Sequence, residues 1–218
     1  MPAHQPPSRR LFLAFTAAGL VGTSALAACS STESAPEPSG RPGQARVLLV
    51  YFSRAGENYH YGGRRTLEVG NTEVVAGMVR DLIACDVHRI EAADPYPTGY
   101  DETVARNVRE QNADARPAIA NPLPSIDQYD VLLLGSPIWN VRPPMIMATF
   151  TDGHDFSGKT VYPFTTHAMS GLGRAVDDYT ANCPGSTIGE GLAIQGETVQ
   201  SARPQVEAWL RRTGLLSE

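Results

Sequence analysis

The sequence predicts a three-layer α/β/α domain on a five-stranded parallel sheet, and three observations predict it. A continuous apolar run at residues 47–52 (VLLVYF) and a second stretch at 129–135 (YDVLLLG) read as strands buried in the sheet. Strand-like and helix-like segments alternate five times from Ala45 to the C-terminus. Such alternation calls for a parallel sheet covered on both sides and joined by right-handed crossovers. Polar, Gly-bearing loops follow the apolar runs. An open sheet of this class binds ligand there, outside the carboxyl ends of its strands, where strand order reverses.

The chain divides into three parts. Residues 1–28 read as a signal peptide. Ser8-Arg9-Arg10-Leu11-Phe12-Leu13 fits the twin-arginine export pattern, although Arg9-Arg10 also suits the positive start of an ordinary secretory signal. A mildly apolar stretch leads to Leu26-Ala27-Ala28-Cys29, small residues before a Cys, which resembles the bacterial lipobox. Residues 29–44 hold Cys29, the expected lipidation site, and a Ser/Pro/Glu/Gly tether with almost nothing to bury. Residues 45–218 form the folded domain. Cleavage before Cys29 removes two of the 18 basic residues and none of the 23 acidic ones, taking the formal charge from −5 to −7. That balance gives no support for nucleic-acid binding. Two or more acyl chains anchor stably where one does not, so a diacylglyceryl Cys29 implies a membrane-attached protein outside the cytoplasm.

Within the domain, a helix signal starts at Gly70-Asn71-Thr72. Val74, Val75, Met78, Val79, Leu82 and Ile83 fall on one face of it. Residues 86–91 are a short strand, and 100–113 a polar helix marked by Val104 and Val108, four apart. Pro144 sits in the first turn of a helix over 144–150. The turn Gly158-Lys159 precedes a strand over 160–165. A helix over 173–182 ends near Pro184-Gly185. One last strand is expected over 186–195, weakened by Gly189 and Gly191. A closing helix over 204–212 turns Val206, Trp209 and Leu210 inward.

The first strand feeds a polar loop and then a helix N-terminus. First-turn N–H groups lack partners and the helix dipole favours negative charge, so this is an anion site. Ser53 and Asn71-Thr72 serve equally well, on these residues alone, to end a strand and cap a helix. Neither a G-x-x-x-x-G-K-[ST] nor a G-x-G-x-x-G is present, against a nucleoside-triphosphate loop and a dinucleotide site. The second loop, Ser136-Pro137-Ile138-Trp139-Asn140, puts an indole at the rim of the sheet. There it lies against a planar ligand or packs under its own loop. The third loop, from Thr165-Thr166-His167 to Gly171, offers hydroxyls, backbone N–H groups and glycine.

YFSRAGEN with GNTEVVA, then YDVLLLGSPIW, then KTVYPFTTH with SGLG, together resemble the flavodoxin-like proteins that bind FMN. The resemblance covers essentially Ala45 to the C-terminus. It implies strand order 2-1-3-4-5 and one FMN at the switch point. Ser53, Arg54, Gly70, Asn71 and Thr72 would hold the phosphate. The isoalloxazine would lie between Ser136, Pro137, Ile138, Trp139 and Asn140 on one side and Thr165, Thr166, His167 and Gly171 on the other. The usual compact S-x-T-G-N-T is here split by residues 54–69, which resembles a branch with a Gly/Tyr-rich flap in this loop. That segment, with Tyr59, Tyr61, Arg64 and Arg65, either covers the ligand or is a solvated loop. Asn140-Val141-Arg142 stands where relatives carry a second aromatic, and an inward Arg142 would stabilise the anionic reduced flavin. His167 contacts the flavin edge, donates a proton to it, or satisfies backbone.

No metal site is expected, since His60, His88 and His154 lack ligand spacing. In the implied strand order Cys85 and Cys183 lie under opposite sheet edges, several strands apart at about 4.8 Å each, too far for a disulfide. The flavin carries the chemistry, so no side chain need be an acid–base catalyst. The expected role is electron transfer or oxidoreductase chemistry at the outer face of a bacterial membrane. The expected partner is a membrane quinol or an exported flavo- or haem protein, since nicotinamides stay in the cytoplasm. A quinone or nitro-compound reductase on the same scaffold, and a flavin-free binding or scaffolding lipoprotein, are the alternatives.

Overall fold

Side-chain alternation along the apolar strands feeds two cores, one on each face of the sheet. The computed structural model describes residues 45–217. The twin-arginine, lipobox, Cys29 and tether assignments lie outside the described residues. In β1 (Val47–Tyr51), Leu48 and Val50, with Phe52 beyond the strand's end, face one core, and Val47, Leu49 and Tyr51 the other. In β5 (Val131–Pro137), Leu132 and Leu134 join the first, and Val131 and Leu133 the second.

Helices α1 (Asn71–Leu82) and α5 (Arg203–Arg212) close the second core with Val75, Val79, Val206 and Trp209. Helices α3 (Met145–Asp152) and α4 (Ala175–Asn182) close the first with Ile146, Phe150 and Tyr179. Each fully buried Leu, Val or Phe contributes about 1.5–3 kcal/mol, so these two layers dominate stability.

The sheet runs β4 (Asp86–Arg89), β1, β5, β6 (Thr160–His167), then a fifth position, all parallel. Counted among the parallel strands alone, that is the order 2-1-3-4-5. Cys85 and Cys183 are both free and pack into different cores.

Three elements differ from the sequence reading. The single last strand is two: β7 (Thr187–Ile188) pairs with Thr160 and Val161, and β8 (Leu192–Gln195) with residues 164–167 of β6. Opposite the break stand Tyr162 and Pro163. Proline has no N–H to offer a neighbour, and the Tyr162 ring lies so close to Gly189 that a Cβ there would overlap it.

Helix α2 (Tyr100–Asn112) buries Thr103 and Asn107, while Val104 and Val108 are 42% and 38% exposed. The polar side is the inner one because Thr103 Oγ1 donates to the Pro97 and Gly99 carbonyls and Asn107 Oδ1 accepts from Gln111. Residues 54–69 are not a loop but an antiparallel hairpin, β2 (Gly56–His60) and β3 (Gly63–Leu67).

Candidate functional site

The hairpin leaves β1 and returns so that the two halves of the split motif meet. Gly70 packs against Ser53 Oγ and the Arg54 carbonyl so closely that any Cβ would overlap them. Ser53 Oγ then accepts the Glu73 N–H at 3.1 Å in the first turn of α1. Gly70, the N-cap residue, makes no side-chain cap of its own. The open start of α1 faces a cavity shared by Ser53, Asn71 and Thr72. Thr72 Oγ1 lies 2.8 Å from Thr166 Oγ1, which ties this helix start to the end of β6.

Arg54 does not present its charge to the helix start. Its guanidinium donates to the Pro97 and Thr98 carbonyls, each at 3.0 Å, and to the Glu57 carbonyl. Arg54 also lines the cavity, and its buried Nε has no hydrogen-bond partner. The residue clamps the hairpin root to the segment before α2.

In the second loop, Pro137, Ile138, Trp139 and Asn140 line the same cavity. Trp139 is half-buried. It packs edge-on against Phe52 at 5.7 Å and Tyr96 at 5.2 Å, and it also lines the cavity. Residues 139–142 close a tight turn, with Trp139 N–H donating to the Arg142 carbonyl at 2.9 Å. Asn140 and Val141 both have positive φ, +48° and +63°. Asparagine tolerates that conformation, whereas a β-branched residue is strained in it. The turn is held from outside: Gln111 donates to the Trp139 carbonyl at 2.9 Å and accepts from Asn140 at 2.9 Å. Arg142 points away from the cavity, in a two-pronged ion pair with Asp178 at 3.0 and 3.1 Å. Its expected inward charge is therefore absent. Ser136 is fully buried and does not line the cavity.

In the third loop, Thr166, His167 and Ala168 line the cavity. Thr165 does not: its Oγ1 donates to the Gly171 carbonyl at 3.0 Å and so shapes the loop. Gly171 serves the same turn with φ +57°. Burial lowers the His167 pKa, opposed by the nearby Glu197 carboxylate. Among the described residues no cluster of His, Cys, Asp or Glu is placed to hold a metal ion. No helix among them is long and apolar enough to cross a membrane.

Sequence comparison decides the lineage of this cavity. A profile described as flavodoxin matches residues 67–213. The chain belongs to the flavodoxin family. Two solved Bacteroides proteins assigned as flavoproteins are each 27% identical to it. The one from Bacteroides eggerthii covers 78% of this chain and 99% of its own, with a TM-score of 0.63. The one from Bacteroides uniformis covers 77% and 98%, with a TM-score of 0.61. A Lactobacillus acidophilus flavoprotein solved in complex with FMN shares the fold at 15% identity and a TM-score of 0.53, covering 74% of this chain and 98% of its own. No curated protein matches the chain.

This flavodoxin-family cavity has three more walls: the hairpin, which the sequence left as either a cover or a solvated loop, and two that the sequence reading missed. The hairpin supplies Asn58 and Tyr59. Helix α2 supplies Tyr100, Val104 and Asn107. The 3₁₀ helix Gly196–Ser201 after β8 supplies Gly196 and Glu197. Tyr59 and Tyr100 bring aromatic rings to a site whose second loop carries only one. Along its length the hairpin is tied by polar contacts. Glu57 N–H donates to the Thr98 carbonyl at 2.8 Å, and Glu57 Oε2 accepts the Tyr100 N–H at 3.1 Å. Arg64 lies over the Tyr100 ring at 3.6 Å, and at the tip Tyr61 N–H donates to Glu197 Oε1 at 3.1 Å. No sequence signal marks these partners, because each contact joins residues far apart in the chain.

Proposed function

We propose that this protein binds one FMN and transfers electrons as a lipid-anchored flavodoxin at the outer face of a bacterial membrane. The observation that carries the cofactor reading is convergence. The N-terminus of α1, with Ser53, Asn71 and Thr72, opens into the same cavity as Trp139 and residues 166–168. A phosphate at one end and a flat ring at the other fit that arrangement. Membership of the flavodoxin family and the FMN bound by the Lactobacillus acidophilus relative support it.

When bound, FMN supplies the redox chemistry. The chain's part is to hold and orient. The first turn of α1 and the Ser53 and Thr72 hydroxyls take the phosphate. Trp139 and the backbone of residues 166–168 flank the ring. His167, whose pKa burial lowers, offers a neutral imidazole near pH 7. Exposed apolar residues near the loops, Val104, Val141 and Met169, favour a second reading: reduction of a quinone or nitro compound directly at the flavin. The twin-arginine and lipobox readings of residues 1–29 set the compartment, and with it a membrane quinol or an exported redox protein as electron donor.

Titration of the purified domain with FMN and with riboflavin, followed by absorbance and flavin fluorescence, tests the cofactor. One-to-one binding, with FMN at least tenfold tighter than riboflavin, is expected. A colourless protein that takes up neither overturns the reading. A Cys29→Ser variant moving from the membrane fraction to the soluble one tests the anchor.

A further inference from the structure

We propose that Glu197 is a two-handed acceptor: one carboxylate oxygen fastens the hairpin tip, and the other receives a hydroxyl of the ligand's sugar-alcohol chain. The proposal rests on the FMN reading above. Glu197 Oε1 accepts the Tyr61 N–H at 3.1 Å. Glu197 Oε2 is buried and has no hydrogen-bond partner. A buried acceptor left without a donor is destabilising, and more so when charged. The oxygen therefore calls for a donor from outside the chain.

The place of Glu197 says which donor. Its backbone neighbour Gly196 is wedged between two loops: a Cβ on it would overlap the Asn71 amide and lie 3.7 Å from the His167 carbonyl. Glu197 thus springs from a point between the phosphate end of the cavity and the third loop. The ligand must cross that interval with the chain that joins its phosphate to its ring. A phosphate offers no donor near neutral pH and repels a carboxylate. The ring end is flanked by Trp139 and the third loop. The ring's own N–H belongs to that ring end, so the hydroxyls of the intervening chain are the donors that pass Glu197 on the way from the Asn71 side to the third loop. No cation competes, since Glu197 forms no ion pair among the described residues.

The test uses three probes, FMN, riboflavin and lumiflavin, the last of which lacks the sugar-alcohol chain. Glu197→Ala is expected to weaken FMN and riboflavin at least tenfold and lumiflavin less than threefold. Glu197→Gln, which keeps an oxygen for the Tyr61 amide, should fall between the wild type and Glu197→Ala. Hydrogen exchange at the Tyr61 amide, measured without ligand, should quicken in Glu197→Ala and stay near wild type in Glu197→Gln. Equal weakening of all three flavins, tighter FMN with riboflavin unchanged, or no change in any would overturn the proposal alone. A wild-type protein that binds none of the three overturns the FMN reading itself, and the proposal with it.

Discussion

Strand β1 and the β2–β3 hairpin are neighbours in sequence and opposites in how they are held. Every residue of β1 is buried, and the strand is paired on both sides within the sheet. The hairpin pairs only with itself, and no residue of it is buried. It is fixed by a handful of polar contacts: Arg54 and Glu57 at its root, Arg64 over Tyr100, and Tyr61 on Glu197 at its tip. Hydrophobic burial makes β1 part of the fold. Solvent-accessible hydrogen bonds of about 0.5–1.5 kcal/mol each make the hairpin a separable cover. The same division runs through the second loop, where a buried strand ends in a turn held by Gln111 alone on one side.

The largest expected effect lies on the β1 side of this contrast. Leu133→Ala in the adjacent strand, at a fully buried position, should cost about 2–5 kcal/mol in urea unfolding. Replacing residues 56–67 with two glycines should leave the unfolding free energy within about 1 kcal/mol of wild type, since no core is lost. FMN affinity should nevertheless drop at least tenfold. A loss of several kcal/mol on that deletion would show that the hairpin is structural after all.

Smaller still, Val141→Gly should raise stability by about 1 kcal/mol by removing left-handed strain from a β-branched residue. The smallest effect is with pH. Burial lowers the His88 and His167 pKa values below 6.5 in the folded chain. The unfolded chain therefore takes up protons first as pH falls. Stability should be full above pH 6.5 and decline below it, and His88→Asn should flatten part of that slope in urea midpoints.

What was legible in the sequence follows the same line. β1 and β5 announce themselves because double-sided burial requires unbroken apolar runs. Alternation then predicts a parallel sheet with helices on both faces, and the strand order is what the flavodoxin-like resemblance implies. The hairpin hides because GENYH and GRRTL carry no apolar alternation and owe their place to distant polar partners. The inner face of α2 is not the one Val104 and Val108 mark, because Thr103 and Asn107 are buried with hydrogen bonds at Thr103 Oγ1 and Asn107 Oδ1, which periodicity of apolar residues does not register.

Among the expected site residues, Ser53, Arg54, Asn71, Thr72, Pro137, Ile138, Trp139, Asn140, Thr166 and His167 line one cavity. Gly70, Ser136, Thr165 and Gly171 instead stand outside its lining, and Arg54 both lines it and clamps its cover. Spacing alone does not separate a residue that touches ligand from one that holds the loop which does. Glu197 was missed because it follows the edge strand β8, outside the loops of the three central strands.

The central claim is that three loops converge on one phosphate and one flat ring. A two-dimensional amide NMR map of the domain, recorded as FMN is added, tests it most directly. The account predicts the largest shifts at Ser53, residues 71–73, the Trp139 indole N–H and residues 166–168. Shifts confined to the far groove beside Arg106 and Arg116, or none at saturating FMN, would contradict it.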